Sequence, residues 1–89
     1  MTITNNENLN RLEVSVEGGL GILRYQIARG TMWLLHVQVP QEAQGHGVAS
    51  ELTPTALALA KDRGLKVVPV CSFVATYIRR HPEYQTMLQ

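Results

Sequence analysis

Three runs of alternating residues, set close together, constrain this chain more than any other feature. Leu12, Val14 and Val16 alternate with Arg11, Glu13, Ser15 and Glu17. That period of two marks a half-buried strand. Gly18 and Gly19 supply a turn, and alternation resumes from Gly21 to Arg29, with Leu23, Tyr25 and Ile27 on one face and Arg24 and Gln26 on the other. Arg29-Gly30-Thr31 forms a second tight connection, and Met32 to Val39 is nearly all apolar. Such a run predicts a central strand buried on both faces. Connections this short join antiparallel neighbours, so residues 11–39 read as a three-stranded meander. The polar, Asn-rich residues 1–10 read as a flexible leader, and residues 11–89 as one domain.

The second half changes period. Pro40 ends the third strand and biases Val39 toward extended backbone. After QEAQGHGVA comes a helical stretch through Asp62, with Val48, Leu52, Ala56, Leu59 and Ala60 on one face. Gly64 closes this helix as its C′ residue. Leu65 to Val70 is a short β-branched strand. A helix-length crossover between two strands makes them parallel, with a right-handed connection. Ser72 to Arg80 forms a final helix with Phe73, Tyr77 and Arg80 on one face, stopped by His81-Pro82. Pro54 conflicts with the first helix, because inside it the ring removes the bond to the Ser50 carbonyl at a cost of about 3 kcal/mol. A kinked helix from near His46 is favoured over one capped by Thr53 and starting at Pro54.

Eighty-nine residues allow one domain and no separate cofactor domain. Any ligand site must therefore share the elements of the core. A formal net charge of +1 argues against a nonspecific nucleic-acid binder. The single cysteine, Cys71, rules out an intrachain disulfide framework and a cysteine zinc cluster, and suits a reducing, cytoplasmic compartment. His36, His46 and His81 lack metal-ligand spacing, so no metal is expected. No stretch is apolar enough for a membrane span, so no membrane partner is expected, and the N-terminus has neither the basic nor the apolar region of a secretory signal.

In a β-α-β unit, ligands sit beyond the carboxyl ends of the parallel strands. Here those ends are Val39-Pro40 and Val70-Cys71. The loop after the first, Gln44-Gly45-His46-Gly47-Val48-Ala49, has glycines that let backbone approach a ligand, and the following helix aims free N–H groups at the same place. The pattern suits a phosphate or pyrophosphate and equally an ordinary strand-to-helix turn. No Gly-Lys-Ser/Thr follows, and G-x-G-x-x-G is incomplete, so neither a nucleotide-triphosphatase loop nor a dinucleotide fingerprint is present.

QGHGVA resembles the Q/R-x-x-G-x-G/A signature of GNAT-type N-acetyltransferases. HVQVP, QGHGVASEL and GLKVVPVCSFVATYIRRHPEY further resemble the short single-domain subfamily, over roughly residues 11–88. The resemblance implies an α/β domain of minimal GNAT-like fold: three antiparallel strands, a crossover helix, a fourth strand parallel to the third and a C-terminal helix. It implies transfer of an acetyl group from acetyl-CoA to a primary amine of a protein or a small molecule. The alternatives are an acetyl-CoA-binding module with weak or no turnover and a protein-interaction domain.

Carried onto this sequence, the resemblance gives the pyrophosphate to Gln44 and the backbone of Gly45, His46, Gly47, Val48 and Ala49. The strand edge from Val37 to Val39 would pair with the pantetheine arm, and the thioester would lie near Cys71. Three positions depart from the subfamily: Gln38 stands where Glu is usual, Val37 where Thr is usual, and Ser72 where Pro is common. A carboxylate at position 38 could accept the amine proton; an amide cannot.

Each candidate has a structural reading beside the functional one. His36 is a general base or a hydrogen-bonded strand residue. Cys71 is an acyl-carrying nucleophile or a small residue packed at a strand end. Tyr77 and Tyr84 protonate the leaving thiolate or pack as aromatics. Arg79 and Arg80 pair with the 3′-phosphate of CoA or end a solvated helix. A homodimer is compatible with a chain of this length, and an open acceptor side follows from its small size.

Overall fold

Two adjacent residues with positive φ close a two-residue hairpin with the right twist, and Arg29 (52°) and Gly30 (78°) supply both. In the computed structural model, which describes residues 1–89, they alone join β3 (Gly19–Ala28) to β4 (Thr31–Gln38). Glu17 and Gly18 join β2 (Arg11–Val16) to β3. The expected meander is present, with β3 between β2 and β4 in a five-stranded sheet.

The first strand corrects the reading of residues 1–10 as a flexible leader. Ile3–Asn6 form β1, antiparallel to β2, with Ile3 opposite Val14 and Asn6 opposite Arg11. The polar side chains there are spent on specific bonds. Asn5 Oδ1 accepts from the Tyr25 hydroxyl at 2.6 Å. Asn6 donates to Glu13 at 3.1 Å and caps the 3-10 turn Glu7–Leu9 by accepting from the Leu9 N–H. Glu7 pairs with Arg63 at the end of the following helix.

The fold is the expected mixed α/β arrangement with one strand more. Helix α1 (Val48–Asp62) connects β4 to β5 (Lys66–Pro69), which pairs with β4 in parallel, Thr31 opposite Lys66 and Leu34 opposite Pro69. Helix α2 (Ser72–Arg80) and a 3-10 segment, Pro82–Met87, follow. Leu88 then bridges to Val67, and the Gln89 N–H donates to the Val67 carbonyl at 3.1 Å, so the tail covers the outer edge of β5.

Both helices pack on one face of the sheet. Leu12, Val14, Leu23, Tyr25, Met32, Leu34 and Val67 share a single core with Val48, Leu52, Ala56, Leu57 and Ala60 of α1 and Val74 and Ile78 of α2. The shortest dimension of the molecule, 19 Å, fits one sheet with one helical layer. The opposite face is therefore uncovered, which corrects the expectation that β4 is buried on both sides. Thr31, Met32 and Leu34 are buried, but Leu35, His36 and Gln38 are exposed.

Helix α1 begins at Val48, after Gly47, and runs without interruption past Pro54. The expected start near His46 is thus displaced by two residues. Pro54 offers no N–H to the Ser50 carbonyl. Thr53 and Thr55 hydroxyls donate to the carbonyls of Ala49 and Glu51 at 2.8 and 2.9 Å in the same turn. The helix ends as predicted at Gly64 (φ 67°). Leu65 N–H bonds the Ala60 carbonyl and Gly64 N–H the Lys61 carbonyl, a Schellman closure. Gly21 sets how closely the helix start approaches the sheet: a Cβ there would lie 2.7 Å from Val48 Cγ1 and 3.1 Å from Val14 Cγ1.

Candidate functional site

A helix N-terminus leaves its first N–H groups without intrahelical partners. In this chain the deficit extends into the loop. The Gln44 N–H bonds the Gln41 carbonyl and the Glu51 N–H bonds the Gly47 carbonyl; no N–H from Gly45 to Ser50 has a partner within the protein. Gly47 at the N-cap carries no side chain to satisfy them. Gly45 and Gly47 have φ of 81° and 79°, and a Cβ on either would meet nothing within 4 Å. Six N–H groups thus lack a partner within the protein, at the positive end of the α1 dipole, and the two glycines leave open space beside them. Uncapped helix N-termini of this kind are chemically suited to anions.

All residues from Gly45 to Ser50 but His46 border a cavity of about 290 Å³, lined also by Val39, Ala43, Gln44 and Phe73. The Gln44 side-chain amide donates to the Val39 carbonyl at 3.2 Å, tying the loop to the end of β4. A second cavity of about 340 Å³ adjoins it through Ser50 and Phe73 and is lined further by Thr76, Tyr77, Arg80 and His81. Together they form a groove from the glycine loop along α2. Phe73, Thr76, Tyr77 and Arg80 reach it because they share one helical stripe; Val74 and Ile78 on the opposite side of α2 are buried.

β4 and β5 part at the groove. Their pairing ends at Leu34 and Pro69, and the Cys71 N–H bonds the Leu34 carbonyl at 3.0 Å before the chain turns into α2. Beyond that point Leu35 to Val39 have no strand on this edge. A register shift between β3 and β4 also leaves Leu35 without a partner, since Arg24 faces His36 and Tyr25 faces Leu34.

The structure gathers most expected cofactor residues and disperses the expected catalytic ones. Val39, Gln44, Gly45, Gly47, Val48, Ala49 and Arg80 line the groove. His46 lines a separate pocket with Glu17 and Glu42 on the other side of the loop. Val37 faces the core opposite Leu23. Arg79 is exposed and donates to the Thr76 hydroxyl at 3.0 Å. His36 and Gln38 share the uncovered face of the sheet. Cys71 is half-buried at the N-cap of α2 and packs on the core margin.

Tyr77 does reach the groove. Its ring stacks on His81 with centroids 3.9 Å apart, and Tyr84 tilts against it at 6.0 Å. Burial, then the neighbouring Tyr84 and Glu83, raises its phenol above the ordinary value of 10.0. The hydroxyl is therefore protonated at neutral pH. The sequence reading missed Ser50, Phe73, Thr76 and His81 as lining residues. The spacing of Phe73, Thr76, Tyr77 and Arg80 was the available signal; His81 read only as a helix stop.

Fold and groove define an α/β protein with an open helix N-terminus at the parting ends of two parallel strands. The family model of GCN5-related N-acetyl-transferases matches residues 11–87, and the chain belongs to that family, whose members use acetyl-CoA as co-substrate. The solution NMR structure of a GCN5-like protein from Staphylococcus aureus has the same fold, with a TM-score of 0.76 at 22% identity, over 99% of this chain and 87% of that one. At that identity the likeness concerns the fold alone. No helix is long and apolar enough to cross a membrane.

Proposed function

We propose that this chain transfers an acetyl group from acetyl-CoA to a primary amine. The observation that carries the reading is the run of unpartnered N–H groups from Gly45 to Ser50 at the mouth of the groove. They suit the pyrophosphate, which needs donors and no countercharge from the glycines. The unpaired edge of β4 from Leu35 to Val39 suits the amide-bearing pantetheine arm. Arg80, in the far part of the groove, suits a phosphate better than Arg79 does.

Acetyl-CoA supplies an activated thioester. An amine nitrogen forms a C–N bond to its carbonyl carbon, the C–S bond breaks, and the proton lost by nitrogen balances the one gained by sulfur. Tyr77 is the groove residue suited to hold the proton delivered to sulfur. His36 and Cys71 are catalytic candidates with separate roles: His36 on the uncovered face of the sheet as base, Cys71 at the strand parting beside the thioester. A reducing, cytoplasmic location suits the free thiol of Cys71.

A second reading is an acetyl-CoA binder without turnover. It is favoured by Gln38, an amide on the exposed face where a carboxylate would serve as base. Calorimetry with acetyl-CoA, followed by a CoA-release assay over amines, amino acids, polyamines and peptides, separates the two. Binding with release for at least one acceptor supports the transferase. Binding without release for any supports the binder, and no binding at millimolar acetyl-CoA contradicts both.

A further inference from the structure

The uncovered face of the sheet carries an arrangement that the groove does not use. Arg24 on β3 faces Arg11 on one side and His36 on the other. Like charges directly opposite across strands repel. Arg11 is committed to Glu13, which also accepts from Asn6, and Arg63 to Glu7; Arg24 takes part in neither ion pair of the molecule and is exposed. Glu13, held below the usual carboxylate range by Arg11 and then Asn6, is thus spent. The face keeps an uncompensated cation.

Beside it lies an apolar hollow of about 320 Å³, lined by Gln26, Ala28, Trp33 and Leu35. Gln26 faces Trp33 across the strands, and Leu35, the residue extruded by the register shift, is 38% exposed. Arg24 and Gln26 are two residues apart on one face, which puts their Cα atoms about 7 Å apart along the strand. An apolar α-amino acid spans a comparable distance from carboxylate to side-chain body. Leu35 also immediately follows the last β4–β5 pair, Leu34 opposite Pro69, so the hollow ends at the strand parting.

We propose that this face is the acceptor side, and that it takes an apolar α-amino acid, with the carboxylate on Arg24 and the side chain against Trp33 and Leu35. The proposal rests on the transferase reading for its role. The recognition itself does not need acetyl-CoA. A guanidinium grips a carboxylate through charge-assisted, often paired hydrogen bonds, so neutralising the carboxylate removes most of the affinity. His36, next to Arg24, lies where the amine of such a ligand approaches the strand parting.

The test compares phenylalanine with phenylalaninamide, followed by amide and indole N–H shifts without acetyl-CoA. Phenylalanine is expected to move the Trp33 indole and the Leu35 and His36 amides, with affinity at least tenfold above that of the amide. Arg24→Gln, an exposed substitution, is expected to reduce phenylalanine to the affinity of phenylalaninamide, and Leu35→Thr to weaken both alike. Equal affinity of the two ligands, shifts confined to other surfaces, or no saturation by either at millimolar concentration overturns the proposal. Failure of acetyl-CoA to bind, with phenylalanine still binding here, would instead remove the transferase reading.

Discussion

At the level of single residues, Gly47 does two jobs. Its φ of 79° lies where a Cβ is strained, and its missing side chain leaves the N–H groups of α1 uncapped. Gly47→Ala is expected to lower stability by about 1 kcal/mol and to weaken acetyl-CoA binding about tenfold, read by denaturation and calorimetry. Unchanged affinity would remove the loop from the cofactor site. Tyr25 and Tyr77 are both raised above 10.0, chiefly by burial, which disfavours phenolate in the folded state. A raised folded pKa gives stability that is complete below the unfolded pKa and lost as pH rises through the folded one. The thermal midpoint should therefore fall above about pH 10, and Tyr25→Phe should reduce that fall. The residue scale also shows what a sequence carries. Gly45, Gly47 and Gly64 were legible, because each backbone need has one residue that meets it. Asn5 was not, since its partner Tyr25 is distant in sequence and composition reads it as solvated.

At the level of elements, the approach of α1 to the sheet is set at Gly21. A Cβ 2.7 Å from Val48 Cγ1 meets a β-branched side chain with little rotamer freedom. Gly21→Ala is expected to lower stability by about 1–3 kcal/mol and to displace the helix start that presents the N–H groups. Val48→Ala in the same chain should restore part of the loss; a double-mutant cycle without coupling would contradict this account. Alternation in β2 and β3 was readable because Leu12, Val14, Leu23 and Tyr25 obey a period of two. The same period put His36 and Gln38 on one face correctly. Which face lacks a helical layer depends on where α2 packs, and Val74 and Ile78 do not reveal that until the chain is folded. For the same reason Phe73, Thr76 and His81 became site residues only when α2 closed one side of the groove.

For the whole molecule, one sheet and one helical layer leave two open surfaces on opposite sides of the sheet. The groove offers unpartnered N–H groups and an aromatic wall; the open face offers an unpaired arginine and an apolar hollow. The tail from Leu88 to Gln89 closes the outer edge of β5, with the Thr31 hydroxyl donating to Gln89 Oε1 at 2.7 Å. Removing these two residues is expected to cost about 1–2 kcal/mol, from the lost hydrogen bonds, in urea unfolding. An unchanged midpoint would show that the strap carries no stability. The central claim, that acetyl-CoA lies in the groove with its pyrophosphate on the loop, is tested most directly by an acetyl-CoA titration followed through backbone amide shifts. The account predicts the largest changes at Gly45 to Ser50, with smaller ones along Phe73 to His81. Changes confined to the face of Arg24 and Trp33, or none at the loop at saturating acetyl-CoA, would contradict it.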